Sequence, residues 1–147
     1  MDTPAAWKTT LESLLATFGG QTGTIHRAND RETILSLVSQ VGVPESLMGK
    51  ISQIPFGKGI AGAAAESREP VELCNLQKDL GGVAREGARA TGVAGSLAVP
   101  IFAADSNKVV GTLGIGKFVP YEFSAEEKAR LAQVAVDLAP RLAQSAG

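Results

Sequence analysis

Ser96-Leu97-Ala98-Val99-Pro100-Ile101-Phe102-Ala103 and Lys108-Val109-Val110-Gly111-Thr112-Leu113-Gly114-Ile115-Gly116-Lys117-Phe118 are two apolar, β-rich runs separated by the turn formers Asp105-Ser106-Asn107. Two such runs around an Asp/Ser/Asn turn read as a hairpin. Strands are expected at about 96–103 and 108–118, and their apolar content makes them central ones. The rest of the chain must supply further strands and a cover for both faces.

Upstream, residues 77–95 are polar and glycine-rich, with Arg85, Glu86 and Arg89 among alanines at helical spacing, and read as a lid that is part helix and part loop. A brief strand is expected at 71–76. Gly57-Lys58-Gly59-Ile60-Ala61-Gly62 passes from a glycine-rich turn into Ala63-Ala64-Ala65, good helix formers, and Ser67-Arg68-Glu69-Pro70 ends the helix. Val43-Pro44-Glu45 opens a short helical piece, and 50–55 alternates in the manner of a strand. Further β-like runs at about 21–28 and 33–41 meet at Asn29-Asp30-Arg31 in a second hairpin.

The ends are helical. Thr3-Pro4 is an N-cap followed by proline in the first turn, and Trp7, Leu11, Leu14, Leu15 and Phe18 recur at steps of three and four, which predicts a helix over 4–18 closing at Gly19-Gly20. Ser124-Ala125-Glu126-Glu127 is a capping box that opens a helix over 124–143, with Leu131, Val134, Ala135, Leu138 and Leu142 on one face. Pro140 is expected to bend or fray its last turn. The fold class is α+β, an antiparallel sheet with helices packed on it.

Composition narrows the function. The chain has 147 residues, 44% hydrophobic and 20% charged, which suits one globular domain. Fourteen Lys plus Arg face fifteen Asp plus Glu, so no net basic field exists to hold nucleic acid. One cysteine and one histidine supply neither an internal disulfide nor a structural zinc site, and no metal or other cofactor is expected. The N-terminus lacks a basic segment followed by an apolar one, and no stretch is long enough to span a bilayer, so a cytoplasmic protein with no membrane partner is expected.

The order of these elements, with Gly57-Lys58-Gly59-Ile60-Ala61-Gly62, then Pro70-Val71, Asn75, Leu97-Ala98-Val99-Pro100-Ile101, Val109-Val110-Gly111-Thr112-Leu113-Gly114-Ile115 and Phe123-Ser124-Ala125-Glu126-Glu127, resembles a GAF domain. The resemblance runs from about Trp7 to Leu142. It implies a single regulatory domain whose terminal helices cover one face of the sheet and whose other face holds a small-molecule pocket under the lid. Free-standing GAF proteins that sense nitrate resemble the chain in length and in the Gly-x-Gly-Ile-Ala-Gly segment.

From the residues alone, the start of the helix after Gly57 offers free amides and the positive end of a dipole to an anion, against the plainer reading that its glycines only permit a tight turn. The resemblance puts the donors at the amides of Ile60 and Ala61 and one near Leu97. Arg85 and Arg89, four apart, would share a helix face and reach an anionic ligand together, against the alternative of a solvated surface. With Phe56 and Leu76 these make the candidate ligand-binding set. Cys74 reads as a buried structural cysteine, and His26 as a structural or surface histidine. Lys117, Phe123 and Glu127 fit part of the cyclic-nucleotide GAF pattern, but Gly116 and Lys128 stand where it has an asparagine and an acid, leaving Lys117 and Glu127 as a strand-to-helix pairing.

The resemblance also brings in an enzyme, the free methionine-(R)-sulfoxide reductases, which need a nucleophilic thiolate in the lid and a resolving thiol. No cysteine lies in 77–95, the expected nucleophile position falls near Arg89, and neither a Gly-x-Ser-x-Gly elbow nor a P-loop occurs. The expectation is a non-enzymatic sensor of a small ligand, an anion such as nitrate among the candidates, that signals through a partner protein. The alternatives are a non-binding dimerisation scaffold and, disfavoured, a reductase. Five Phe, one Trp and one Tyr give little platform for haem or bilin. A homodimer through the terminal helices competes with the reading in which those helices only cover their own sheet.

Overall fold

A computed structural model of the chain describes residues 3–73 and 94–145. The N-terminal helix forms where its caps are. The Thr3 hydroxyl accepts the Ala6 amide at 3.1 Å, Pro4 fills the first turn, and Gly19, at φ 69, turns the chain out of α1 (Pro4–Phe18). β1 (Thr22–Ala28) and β2 (Ile34–Val41) follow, joined by a turn in which Asn29 Oδ1 accepts the amides of Thr33 and Ile34 at 2.8 and 3.0 Å.

The strand expected at 50–55 is shorter than its sequence pattern. A 3-10 turn, Glu45–Leu47, runs directly into the short helix α2 (Met48–Ile51), and only Gln53–Pro55 forms β3. Local bonding wins here: Leu47 is buried as an anchor, and the Ser52 amide closes a helical turn onto the Met48 carbonyl at 2.9 Å. Next come α3 (Gly59–Ser67), β4 (Val71–Leu73), β5 (Gly95–Phe102), β6 (Val109–Lys117) and α4 (Ala125–Ser145). Residues 74–93, with the end of the expected 71–76 strand and nearly all of the expected lid, lie outside the described residues. Gly95, expected in the lid, opens β5 instead.

The six strands form one antiparallel sheet in the order β3-β2-β1-β6-β5-β4. Alternation along each strand separates two faces of different character. On one, Ile25, Leu97, Val99, Ile101, Leu113 and Ile115 form the main core with Trp7, Leu11, Leu14, Leu15 and Phe18 of α1 and Leu131, Ala135, Leu138, Ala139 and Leu142 of α4. Leu11 and Leu131 are 0% exposed, and each such burial stabilises the fold by about 1.5–3 kcal/mol. The apolar stripes of the terminal helices therefore cover their own sheet, and these side chains are not available to a second copy.

Pro140 does not end α4, which continues through it to Ser145. The proline ring withholds one amide from the Val136 carbonyl, on a side of the helix where Val136 and Pro140 are exposed and water can take that carbonyl. On the sheet side, Arg27 Nε donates to the Leu142 carbonyl at 3.2 Å and secures the last turn.

Candidate functional site

The second face of the central strands carries almost no bulk. Register aligns Thr22, Gly116 and Ser96 in one row, Thr24, Gly114 and Ala98 in the next, and His26, Thr112 and Pro100 in a third. None of the nine is large and aliphatic, whereas the same strands present Ile25, Leu113, Ile115, Leu97 and Val99 to the other face. Within this floor Thr24, Gly114 and Ser96 are half-buried and the other six are buried. Such small, uncharged positions put hydrogen-bonding groups where the opposite face has only packing bulk.

His26 and Thr112 are the polar centre of this floor. Each is 1% exposed, and they are direct cross-strand neighbours. His26 Nε2 lies 2.9 Å from the Ile51 carbonyl at the end of α2. A carbonyl only accepts, so Nε2 carries the proton. Burial pushes the imidazole pKa down, with the Ile51 bond opposing, and the neutral ring leaves Nδ1 as a bare acceptor. Neither His26 Nδ1 nor Thr112 Oγ1 has a hydrogen-bond partner among the described residues.

One end of this face is covered by α3, where Ala65 packs with Leu35 and Val109, flanked by Phe56, Ala61, Ile54 and Phe102. The glycine-rich turn before it obeys steric demands: Gly57 and Gly59 hold φ of 89 and 66, and a Cβ at Gly62 would lie 2.6 Å from the Pro55 carbonyl. That satisfies the plainer reading of the motif. The amides of Gly59, Ile60 and Ala61 nonetheless have no acceptor among the described residues, and Lys58 provides no side-chain cap.

Of the residues singled out from sequence, Phe56, and Ala61 of α3, pack against the Leu35, Ala65 and Val109 cluster, and Ile60 is half-buried in the first turn of α3. Leu97 lies elsewhere. Its side chain, 0% exposed, belongs to the core beneath the terminal helices, and its main chain lies in register between Glu72 and Ile115, so the donor expected near it sits within two ladders. Leu76, Arg85, Arg89 and Cys74 fall outside the described residues. Sequence reasoning passed over the floor itself. Its signal was a small or polar residue at every second position, Thr22, Thr24, His26 on one strand and Thr112, Gly114, Gly116 on another.

The expected Lys117–Glu127 pairing is indirect. Lys117 Nζ sits 3.7 Å from the centroid of the Tyr121 ring, and the Tyr121 hydroxyl donates to Glu127 at 2.8 Å. Glu127 also accepts the Ser124 amide at 2.9 Å while Ser124 Oγ accepts that of Glu127 at 3.0 Å, closing the capping box of α4. These bonds, with the Lys117 charge, hold the Glu127 carboxyl below its usual range.

A sequence profile described as GAF domain matches residues 2–142. The chain belongs to the GAF domain family. Solved GAF structures similar to it include that of a phosphoenolpyruvate-protein phosphotransferase from Coxiella burnetii, 22% identical with a TM-score of 0.80 over 97% of this chain and 83% of that one. The type II free methionine-R-sulfoxide reductase from Thermoplasma acidophilum is 15% identical, with a TM-score of 0.78 over 96% and 92% of the two chains. The substrate complex of the free methionine-R-sulfoxide reductase from Neisseria meningitidis is 20% identical, with a TM-score of 0.77 over 96% and 78%. At these identities the likeness is one of fold. No curated protein matches the sequence.

In this GAF domain, as expected from sequence, the terminal helices occupy one face of the sheet. Among the described residues no group of three or more His, Cys, Asp or Glu is placed to hold a metal ion, and no helix is long and apolar enough to cross a membrane.

Proposed function

We propose that this GAF domain is a regulatory sensor that binds a small molecule on the polar face of its sheet and passes its state to a partner protein. The observation that carries the reading is the floor of Thr22, Thr24, His26, Ser96, Ala98, Pro100, Thr112, Gly114 and Gly116, with two sealed polar atoms at its centre. Binding rather than turnover is favoured because the chain has a single cysteine, one thiol short of the pair that reductase chemistry requires.

A second reading, in which the ligand is a small anion such as nitrate, is supported by the open amides of Gly59, Ile60 and Ala61 at the head of α3. Thermal-shift measurements against nitrate, nitrite, bicarbonate and a set of neutral metabolites test both. A ligand at 100 times its dissociation constant adds about 2.7 kcal/mol to stability. No shift with any compound returns the domain to the alternative role of a non-binding scaffold. Thioredoxin-dependent reduction of free methionine sulfoxide by the purified protein would replace sensing by catalysis.

A further inference from the structure

Native proteins pair the great majority of their buried polar side-chain atoms, so two orphans in adjacent places need a reason. His26 Nδ1 and Thr112 Oγ1 are both sealed from solvent, sit directly opposite each other on β1 and β6, and face the floor. A structural role explains half of the imidazole: Nε2–H holds the Ile51 carbonyl and so ties α2 to the sheet. It leaves Nδ1 unexplained. Thr112 makes no bond to its neighbours either: Pro100 opposite has no amide, and the Thr112 hydroxyl is not hydrogen-bonded to His26 Nδ1, the acceptor across the strand pair.

The chemistry of the pair selects its ligand. A ring already protonated at Nε2 and kept neutral by burial can only accept at Nδ1. The threonine hydroxyl accepts or donates as its partner requires. No side chain of the floor carries a compensating charge. An anion without a proton, nitrate included, would meet a lone pair there. A group with an N–H or O–H would meet an acceptor, with a hydroxyl beside it.

We propose that His26 and Thr112 form the recognition point for an uncharged small molecule, bound through an N–H or O–H group that donates to His26 Nδ1 while Thr112 Oγ1 bonds the same group or its neighbour. The proposal rests on the sensing reading and narrows it to a ligand class. Both atoms are desolvated, so a group unable to make these bonds is rejected by the cost of leaving them unpaired.

The single histidine makes the test direct, because long-range proton–nitrogen NMR reports the tautomer of one ring and the bonding of its Nδ1. Acetamide, urea, ethylene glycol, uracil and sodium nitrate are titrated into the 147-residue chain at neutral pH. The expected result is that at least one neutral probe moves the Nδ1 resonance while the ring stays protonated at Nε2 only, and that nitrate does not move it. Thr112→Val removes only the hydroxyl; it should melt no lower than the parent yet bind that probe about tenfold more weakly, the worth of one net hydrogen bond. If nitrate binds and protonates the ring, or a neutral probe binds with Nδ1 unmoved, the inference fails and sensing survives. If no neutral probe binds, the inference fails, while sensing stands or falls with the thermal-shift measurements. A Thr112→Val protein that melts lower and binds as before marks a merely structural hydroxyl and overturns the proposal.

Discussion

Glu32 and Arg68 both hold left-handed backbone, φ 56 and 63, and meet side chain to side chain at 3.5 Å. Neither has glycine's freedom, so the conformation costs energy that the surrounding contacts must offset. Glu32 Oε1 also accepts the Val109 amide at 2.9 Å, and Arg68 donates to the Asn107 carbonyl and lies over the Phe102 ring. Three turns are thus tied together at the end of the sheet where α3 crosses the polar face. The clamp fixes the cover of the candidate site.

Glu32→Ala should lower stability by about 1–2 kcal/mol, chiefly by stranding the Val109 amide, since the half-exposed ion pair itself is worth under about 1 kcal/mol. Glu32→Gln keeps an acceptor and should cost less than half as much. Chemical denaturation of the two variants checks the order.

The two faces of β6 should respond unequally to the same small change. A Cβ at Gly111 would collide with the His26 carbonyl and press on Leu142, so Gly111→Ala should destabilise by about 3 kcal/mol, the upper end for overpacking. At Gly114 the Cβ would meet, among the described residues, Thr24 Oγ1 at 3.1 Å, the end of a side chain that can turn, and the Leu97 carbonyl at an ordinary 3.9 Å. Gly114→Ala should cost less than about 1 kcal/mol. Equal costs would contradict the assignment of faces.

Protonation of His26 sets a pH dependence with a definite sign. Its folded pKa lies below the ordinary 6.5, so the unfolded chain takes up the proton first, and stability present above about 6.5 is lost as pH falls beneath it, by at most about 1.4 kcal/mol per pH unit. Glu127, also depressed, adds a loss in the same direction, beginning below its ordinary 4.5. Proton NMR of the one histidine should show no titration through pH 6.5 in the folded protein. A midpoint at or above 6.5 would contradict a sealed ring.

The frame was legible in sequence where local chemistry is decisive. Thr3-Pro4, Gly19 and the Ser124/Glu127 box mark helix ends through bonds made within a few residues, and the structure makes those bonds. The hairpin around Asp105-Ser106-Asn107 follows from two apolar runs and a turn. What escaped depends on register: only the alignment of His26 with Thr112, and of Thr24 with Gly114, turns scattered threonines and glycines into one floor. Leu97 shows the same dependence: the pattern gives its strand, and only register and packing put its side chain on the core face. The 50–55 segment misled because Ile51 answers to a helical turn and to His26, both set by contacts beyond the window of alternation.

The central claim, that the small-residue face of the sheet seats a ligand, is tested most directly by filling it. Gly114→Val puts a β-branched side chain on the floor, beside Thr24 and between His26 and the Ser96 end, with no new bulk on the core face. Isothermal titration of any compound that stabilises the parent should show the variant folded, by its circular dichroism, and its affinity reduced at least about tenfold, or 1.4 kcal/mol. Undiminished affinity in the folded variant would place the ligand elsewhere and contradict the account.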